Sequence, residues 1–143
     1  MSIVPAWLGV ASGMRSTVAL AAVIARGSPN LPGPLRHRLA VPAAGVAVAV
    51  ELVLDKLPTT PSRLDPVGLI GRAGFAAGAA ALHARGAHRR AATDAAVAAV
   101  TALITAKVAH DVRAAAGRRV PDLVAAVVED GLALGIAALA SRA

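Results

Sequence analysis

Two adjacent acids, Glu129 and Asp130, lie near the middle of an otherwise apolar final segment, VPDLVAAVVEDGLALGIAALA. Because an ionised carboxylate loses its hydration in a low-dielectric medium, such a group has to be paired, neutralised or hydrated. The chemistry open to it is proton exchange, cation binding or ion pairing with a buried base. Arg15 and Arg72, in the first and third apolar segments, are the candidate counter-ions.

A second group of charges ends the second apolar segment. Glu51 and Asp55 are four residues apart and therefore share one helix face, Lys56 follows directly, and Pro58 ends the helix. One face thus presents two carboxylates that can bind a cation or exchange protons. The alternative is a solvated helix end at a membrane interface, where charge costs little.

A third group repeats this spacing in the fourth segment, where Lys107 and Asp111 are four residues apart and His110 lies between them. The group is either an interfacial helix end or part of the same polar interior. His110 and Asp111 can bind a divalent cation only if they converge with the other acids, and no motif of the H-E-x-x-H kind occurs. The sequence therefore predicts no metal site and no cofactor.

Five apolar segments have to position these charges, and each is close to the roughly 20 residues with which a helix spans a bilayer. Proline and glycine separate them. The sequence predicts an all-α, polytopic transmembrane helix bundle of about five helices, four to five of them spanning, as a single domain over residues 1–143. The segments are Ile3 to Ala25, Leu35 to Leu57, Pro66 to Ala84, Ala91 to His110, and Pro121 to Ala140.

The composition also favours a bilayer environment. Of the 143 residues, 57% are hydrophobic, and the mean hydropathy of +0.66 exceeds that of an ordinary soluble domain. The net charge of +7 suits anionic lipid headgroups better than nucleic acid, because only 1% of the residues are aromatic and can stack on bases. We expect a multi-pass protein of the cell inner (plasma) membrane. A soluble Ala-rich bundle is the alternative, since alanine is marginal for membrane insertion.

Three GxxxG spacings occur within the apolar segments, and each places two glycines on one helix face where another backbone can approach. The pairs are Gly9 with Gly13, Gly74 with Gly78, and Gly131 with Gly135. We predict compact helix packing at these faces, either within one chain or between the chains of a homo-oligomer. Because the faces lie in the same segments as the buried charges, Glu129 and Asp130 are expected at a tight junction of the first, third and fifth segments.

Two weaker patterns concern topology. Arginines slightly favour the connections after the first and third segments, and the positive-inside rule then places the N-terminus outside and the C-terminus in the cytoplasm. A faint repeat relates Arg15 to Arg72, and Glu51 to Lys107, at nearly equal separations. It predicts two parallel two-helix units with a further helix added.

The order of these residues resembles that of a known family. The pattern comprises a Gly-Xaa-Arg in the first segment, then Glu51, Asp55, Lys56, Pro58, Arg72, His110, Arg113, Pro121, Glu129 and Asp130. Over nearly the whole chain it is similar to the bacterial integral membrane family filed as domain of unknown function 4126, although the TTPSRLDP connection is longer here. The family carries no assigned activity, so the resemblance implies membrane location and shared polar positions without implying a reaction.

Two functions from different classes fit these observations. The first is a small transporter- or channel-like protein whose intramembrane acids and bases handle a cation, a proton or a small charged solute. The second is a non-transporting scaffold or assembly factor stabilised by buried ion pairs. No catalytic motif is found, so an enzyme is not predicted. The candidate ion- or substrate-binding residues are Arg15, Glu51, Asp55, Lys56, Arg72, His110, Asp111, Glu129 and Asp130.

Overall fold

The computed structural model describes residues 2–27, 30–54, 64–117 and 120–143. All regular secondary structure in these residues is helical, so the predicted helical bundle is confirmed. The described helices are α1 (Val4–Met14), α2 (Val18–Arg26), α3 (Gly33–Arg36), α4 (Ala40–Leu54), α5 (Pro66–Gly86), α6 (Ala91–Ala116) and α7 (Asp122–Arg142).

Three of these helices are long and apolar enough to cross a membrane. They are α5 with 21 residues, α6 with 26 and α7 with 21. Helices α1 and α4 are apolar as well, but have only 11 and 15 residues. Three candidate spans fit a membrane protein, and they are fewer than the four to five spans that the sequence predicted.

In the three long helices, small side chains face the core of the bundle and large apolar side chains lie outside. The buried positions of α5, α6 and α7 are mostly alanines, which surround Leu8 and Ala11 of α1. Valine, leucine and isoleucine of the same three helices point outward, for example Ile104 at 60% and Leu139 at 70% exposure. Water disfavours this arrangement, whereas lipid solvates the large side chains and the small ones let the helices approach.

The three long helices alternate in direction. Arg113 near the end of α6 bonds Asp122 at the start of α7, and the cleft between these helices is lined by the last third of α6 and the first half of α7. Because α5 joins α6 through a short connection, α5 and α7 both end where α6 begins. We call this the arginine-rich end, since its arginines are Arg26, Arg36, Arg38, Arg85, Arg89, Arg90 and Arg142.

The first apolar segment is a hairpin of two short helices. Gly9 and Gly13 of α1 lie against Ala98 and Ala102 of α6 in the same order, so α1 runs parallel to α6 and starts at the arginine-rich end. Helix α2 returns to that end, where Arg26 donates a hydrogen bond to the carbonyl of residue 141 near the end of α7. The prediction of one helix from Ile3 to Ala25 is therefore wrong.

The break follows from local backbone chemistry. Arg15 is extended, with φ −140° and ψ 114°, which ends α1. Ser16 and Thr17 follow, and serine and threonine are favoured just before a helix because their side chains compete for backbone hydrogen bonds. Helix α2 then begins at Val18. Hydropathy does not register the turn, because three polar residues hardly change the average of a long apolar segment.

The hairpin changes the topology. Residues 4 and 142 lie at the same end of the bundle, so the expectation that the chain starts and finishes on opposite sides is wrong. The proposed repeat is not reproduced at its arginines, because Arg15 lies in a turn and Arg72 lies within the continuous α5.

Helix α4 runs from the arginine-rich end along α2 and has no buried residue. Asp55 and Lys56 lie outside the described residues.

The glycine face of α1, formed by Gly9 and Gly13, lies close against the backbone of α6. A Cβ atom added at Gly9 would lie 2.5 Å from the carbonyl oxygen of Ala98, and one added at Gly13 would lie 2.6 Å from that of Ala102. The other glycine pairs have no neighbour within 4 Å of such a Cβ; they are Gly74, Gly78, Gly131 and Gly135. The close packing expected at those two faces is thus absent within the described chain, and the faces are open to lipid or to a second copy.

This difference predicts opposite effects of one substitution. Gly13→Ala should lower the free energy of unfolding by about 1–3 kcal/mol, because the new methyl group meets backbone that cannot move aside cheaply. Gly135→Ala should leave it unchanged or raise it by up to about 1 kcal/mol through helix propensity. Unfolding of the purified protein by SDS in detergent micelles measures both. Equal destabilisation by the two variants would contradict the α1–α6 packing.

Candidate functional site

The tip of the hairpin, residues 15–17, lies in the middle of the bundle. An 11-residue helix such as α1 is about 16 Å long, which is half of the roughly 30 Å hydrocarbon core of a bilayer. Asp130 lies about 12 Å along α7 and Glu51 about 16 Å along α4, measured at the helical rise per residue. The three helices therefore bring their charged residues to the same depth.

Arg15 forms an ion pair with Asp130 at the tip. The Arg15 guanidinium donates through Nε and lies against the same Asp130 Oδ1 with its Nη2. The Arg15 side chain is 1% exposed and that of Asp130 is 12% exposed. Such burial makes each charge dependent on the other, because removing one leaves the other without compensation in a low-dielectric environment.

Glu51 binds the start of α2 from the neighbouring helix α4. Its Oε1 accepts the backbone N–H of Ser16 at 2.6 Å, and its Oε2 accepts both the N–H of Thr17 at 2.9 Å and the Thr17 hydroxyl at 2.6 Å. These N–H groups have no partner within α2, and the helix dipole adds a partial positive charge there. A carboxylate from another helix thus serves as the N-terminal cap of α2.

Arg72 binds the other side of the turn from α5. Its Nε donates to the carbonyl oxygen of Gly13 at 3.2 Å, and its Nη1 reaches that of Gly68 at 3.4 Å. Gly13 lies in the last turn of α1, where carbonyl groups lack helical partners and a cation is favoured. The Ser12 hydroxyl lies 2.8 Å from the carbonyl oxygen of Ser16 and 3.2 Å from that of Arg72, and it donates its single proton to one of them at a time.

Together these contacts form a polar centre around the broken helix, which we define as Ser12, Arg15, Ser16, Thr17, Glu51, Arg72 and Asp130. It combines two half-helix ends of opposite polarity with two guanidinium groups and two carboxylates. Discontinuous helices with this pattern bind ions and charged substrates near the bilayer midplane in transporters. The same contacts also satisfy the backbone groups that the turn exposes. The chemistry of the centre is therefore charge exchange or charge pairing.

Of the two acids expected together at one junction, Asp130 lies there, paired with Arg15 between α7 and α1, whereas Glu129 faces Arg113 of α6. Successive residues point about 100° apart around a helix, since it has 3.6 residues per turn. While Asp130 faces Arg15, Glu129 lies 3.6 Å from Nη1 of Arg113. Arg113 also binds Asp122 through two hydrogen bonds of 2.8 Å. This second cluster borders a largely apolar cleft of about 370 Å³ between α6 and α7.

The remaining candidates lie away from the tip or outside the described residues. Lys107 and Asp111 pair with each other on the exposed side of α6, with side-chain exposures of 61% and 55%. His110 is half-buried on the same helix. The described part of the chain contains no group of three or more histidine or acidic side chains that could hold a metal ion.

Ser12, Ser16 and Thr17 are the residues of the centre that the sequence did not assign to it. The predicted continuous helix from Ile3 to Ala25 would pair the backbone N–H groups of Ser16 and Thr17 within itself, whereas in the structure these groups bind Glu51. The available signal is the run Gly-Met-Arg-Ser-Thr, in which Ser and Thr follow a charge and favour a new helix start. Their partner Glu51 is set by the packing of α4 on α2 and has no local signal.

Comparisons with known proteins give no match: no family model matches the sequence, no curated protein matches it, and no solved structure matches its fold. The resemblance to the family domain of unknown function 4126 accordingly stays a prediction from the residues.

The different surroundings of the adjacent acids predict different stability losses. Asp130→Asn should lower the free energy of unfolding by about 3–5 kcal/mol, because it leaves the Arg15 charge buried without its counter-ion. Glu129→Gln should cost less than about 1 kcal/mol, because Arg113 is partly exposed and keeps Asp122 as its partner. SDS unfolding in micelles measures both variants. A loss for Glu129→Gln as large as that for Asp130→Asn would overturn the assignment of partners.

Proposed function

We propose that this protein is a small, multi-pass protein of the cell inner membrane that moves a proton, a cation or a small charged solute through its polar centre. The observation that carries the proposal is the meeting of two half-helix ends, two acids and two arginines at mid-bundle depth. Irregular backbone with charged groups is expensive inside a membrane and marks ion or substrate pathways.

Membrane insertion is supported by the exterior of the bundle. The large apolar side chains of α5, α6 and α7 point outward, and the buried positions of these three helices are mostly alanines. A soluble Ala-rich bundle would place its large apolar side chains inside. In a bilayer, the α1–α2 hairpin enters and leaves on one side, so its tip is re-entrant and its backbone is covered by α5, α6 and α7.

Glu51 is the group that we expect to exchange protons or cations. It is part-buried on α4, which has no buried residue and contacts the described bundle mainly through α2. Protonation removes the charge that the α2 N-terminus binds and weakens the link between α4 and the tip. Asp130 is the complementary site, because its charge is held by Arg15 in the interior. Movement of α4 relative to the hairpin would then open the centre to one side.

A scaffold is the second candidate, and the same contacts favour it. Arg72, Glu51 and the Arg15–Asp130 pair satisfy the backbone and charges of the turn. A protein that only holds partners together needs such pairing to fix the arrangement of its helices. The open glycine faces of α5 and α7 would then serve contacts between copies. The two functions differ in whether the acids of the centre exchange protons or cations.

Proteoliposomes with an internal pH-sensitive dye test transport. We expect the purified protein to dissipate an imposed pH gradient faster than protein-free vesicles do. Glu51→Gln should slow this flux about tenfold or more, since each ~1.4 kcal/mol of lost barrier stabilisation reduces a rate tenfold. Glutamine keeps the shape of the side chain and one acceptor oxygen, so the hairpin can still close.

Asp111→Asn is the matched control. It removes one carboxylate from an exposed ion pair on α6 and should leave the flux unchanged. The fluxes of potassium and sodium into the vesicles are measured in parallel, so that cation movement is detected even when protons do not move. If none of these ions moves faster than in protein-free vesicles, or if Glu51→Gln transports like the unmodified protein, the transport proposal fails and the scaffold is favoured.

Orientation gives a further prediction. Arginine dominates one end of the bundle, where Asp94 is the single acid among the described residues, so the positive-inside rule places that end in the cytoplasm. The chain has no cysteine, which makes single-cysteine labelling clean. Ile3→Cys and Ala87→Cys should be protected from an impermeant maleimide in intact cells, and Ala115→Cys should be labelled. Labelling of only one of the first two variants would contradict the hairpin.

A further inference from the structure

A cavity of about 300 Å³ lies at the arginine-rich end, where α2, α5 and α7 finish. Its walls include Arg26 from α2, His83 from α5 and Ser141 from α7. The volume is at the lower limit of ligand pockets, which is enough for a small polar group and too small for a large cofactor. The cavity is separate from the polar centre at the hairpin tip.

The side chains that line this cavity carry one formal charge, which is positive, and Ala143 at the end of the sequence lies in the same wall. Arg26 lines it directly, and among the described residues no Asp or Glu side chain does. Asp94 lies in the first turn of α6 and is paired with Arg89 at 2.9 Å. The carbonyl ends of α2, α5 and α7 contribute partial negative charge, but the Arg26 guanidinium already donates to the carbonyl of residue 141. The net field of the side chains therefore favours an anion.

Two donors of the cavity have hydrogen-bonding capacity left. Arg26 carries five N–H donors in a planar fork and uses one described bond, to the carbonyl of residue 141. The half-buried His83 makes no side-chain hydrogen bond within the described part of the chain. A guanidinium fork beside an imidazole matches the oxygens of a phosphate group.

The remaining wall is apolar and adds a second requirement. Val23 and Leu82 line the cavity on the side of the bundle. Helices α5 and α7 are candidate spans that end here, so the cavity lies at the depth of lipid headgroups when they cross a bilayer. A ligand with a charged phosphate and an adjoining apolar part fits both walls.

We propose that this cavity binds a phosphate group, supplied by an anionic phospholipid headgroup, with Arg26 and His83 as its ligands. Valine and leucine at positions 23 and 82 contact the glycerol backbone and the first part of an acyl chain. The site goes beyond the general attraction of arginines to anionic lipid, because it assigns two side chains that should matter more than others at the same end. It does not depend on whether the polar centre transports anything.

Lipid titration of the full chain in neutral detergent tests the site. Short-chain phosphatidylglycerol is added, and bound lipid is counted by native mass spectrometry. The double variant Arg26→Gln with His83→Gln should weaken the binding about tenfold, the loss expected for ~1.4 kcal/mol. The matched control is His37→Gln with Arg38→Gln, which removes the same residue types from the same end, away from the cavity. It should weaken the binding by less than about twofold.

Two further measurements identify the source of the phosphate and distinguish a loss of binding from misfolding of a variant. Inorganic phosphate and short-chain phosphatidylcholine are added as competitors; displacement by inorganic phosphate at equal concentration would keep the site but make free phosphate its ligand. His83→Gln alone leaves the bond from Arg26 to α7 intact, so it should weaken binding without lowering the melting temperature. Equal weakening by both double variants, or no weakening by His83→Gln, would overturn the proposal and leave only diffuse attraction.

Discussion

The turn between α1 and α2 places unpaired backbone groups in the interior of an apolar bundle, and the rest of the structure depends on satisfying them. The last carbonyl groups of α1 and the first N–H groups of α2 cannot bond within their own helices. Arg72 of α5 provides donors for one set and Glu51 of α4 provides acceptors for the other. Three elements far apart in sequence therefore have to meet at one point, and Asp130 of α7 joins them by neutralising Arg15.

The same constraint explains why small residues dominate the interior. The hairpin puts two helices into a space bounded by α5, α6 and α7, so the surrounding backbones have to approach closely. Gly9 and Gly13 allow this against α6, and alanines allow it elsewhere in the core. The large apolar side chains of α5, α6 and α7 lie outside, where lipid solvates them as well as a core would. Packing and polarity in this bundle are thus two consequences of one buried turn.

The carboxylate of Glu51 at the tip can serve two functions. A fixed Glu51 closes the α2 N-terminus as a cap, and an exchangeable Glu51 couples the position of α4 to its ionisation. The peripheral placement of α4 favours exchange, because little packing opposes its movement. The phosphate cavity at the arginine-rich end is independent of this choice. It would anchor the hairpin and α7 at the membrane surface, since Arg26 contacts both.

The sequence by itself determined the helical class, the apolar segments that become α5, α6 and α7, and the presence of charges that have to be paired, because composition and hydropathy act locally along the chain. It did not determine that the first segment turns back, since Ser16 and Thr17 are too short a signal within an apolar run. Nor did it determine that Asp130 faces Arg15 while Glu129 faces Arg113, or that, of the three glycine pairs, only the one in α1 is packed within the described chain. Those outcomes depend on which helices meet. Only the tertiary structure fixes the partners of Arg15, Glu51 and Arg72, because contacts between residues distant in sequence leave no local pattern.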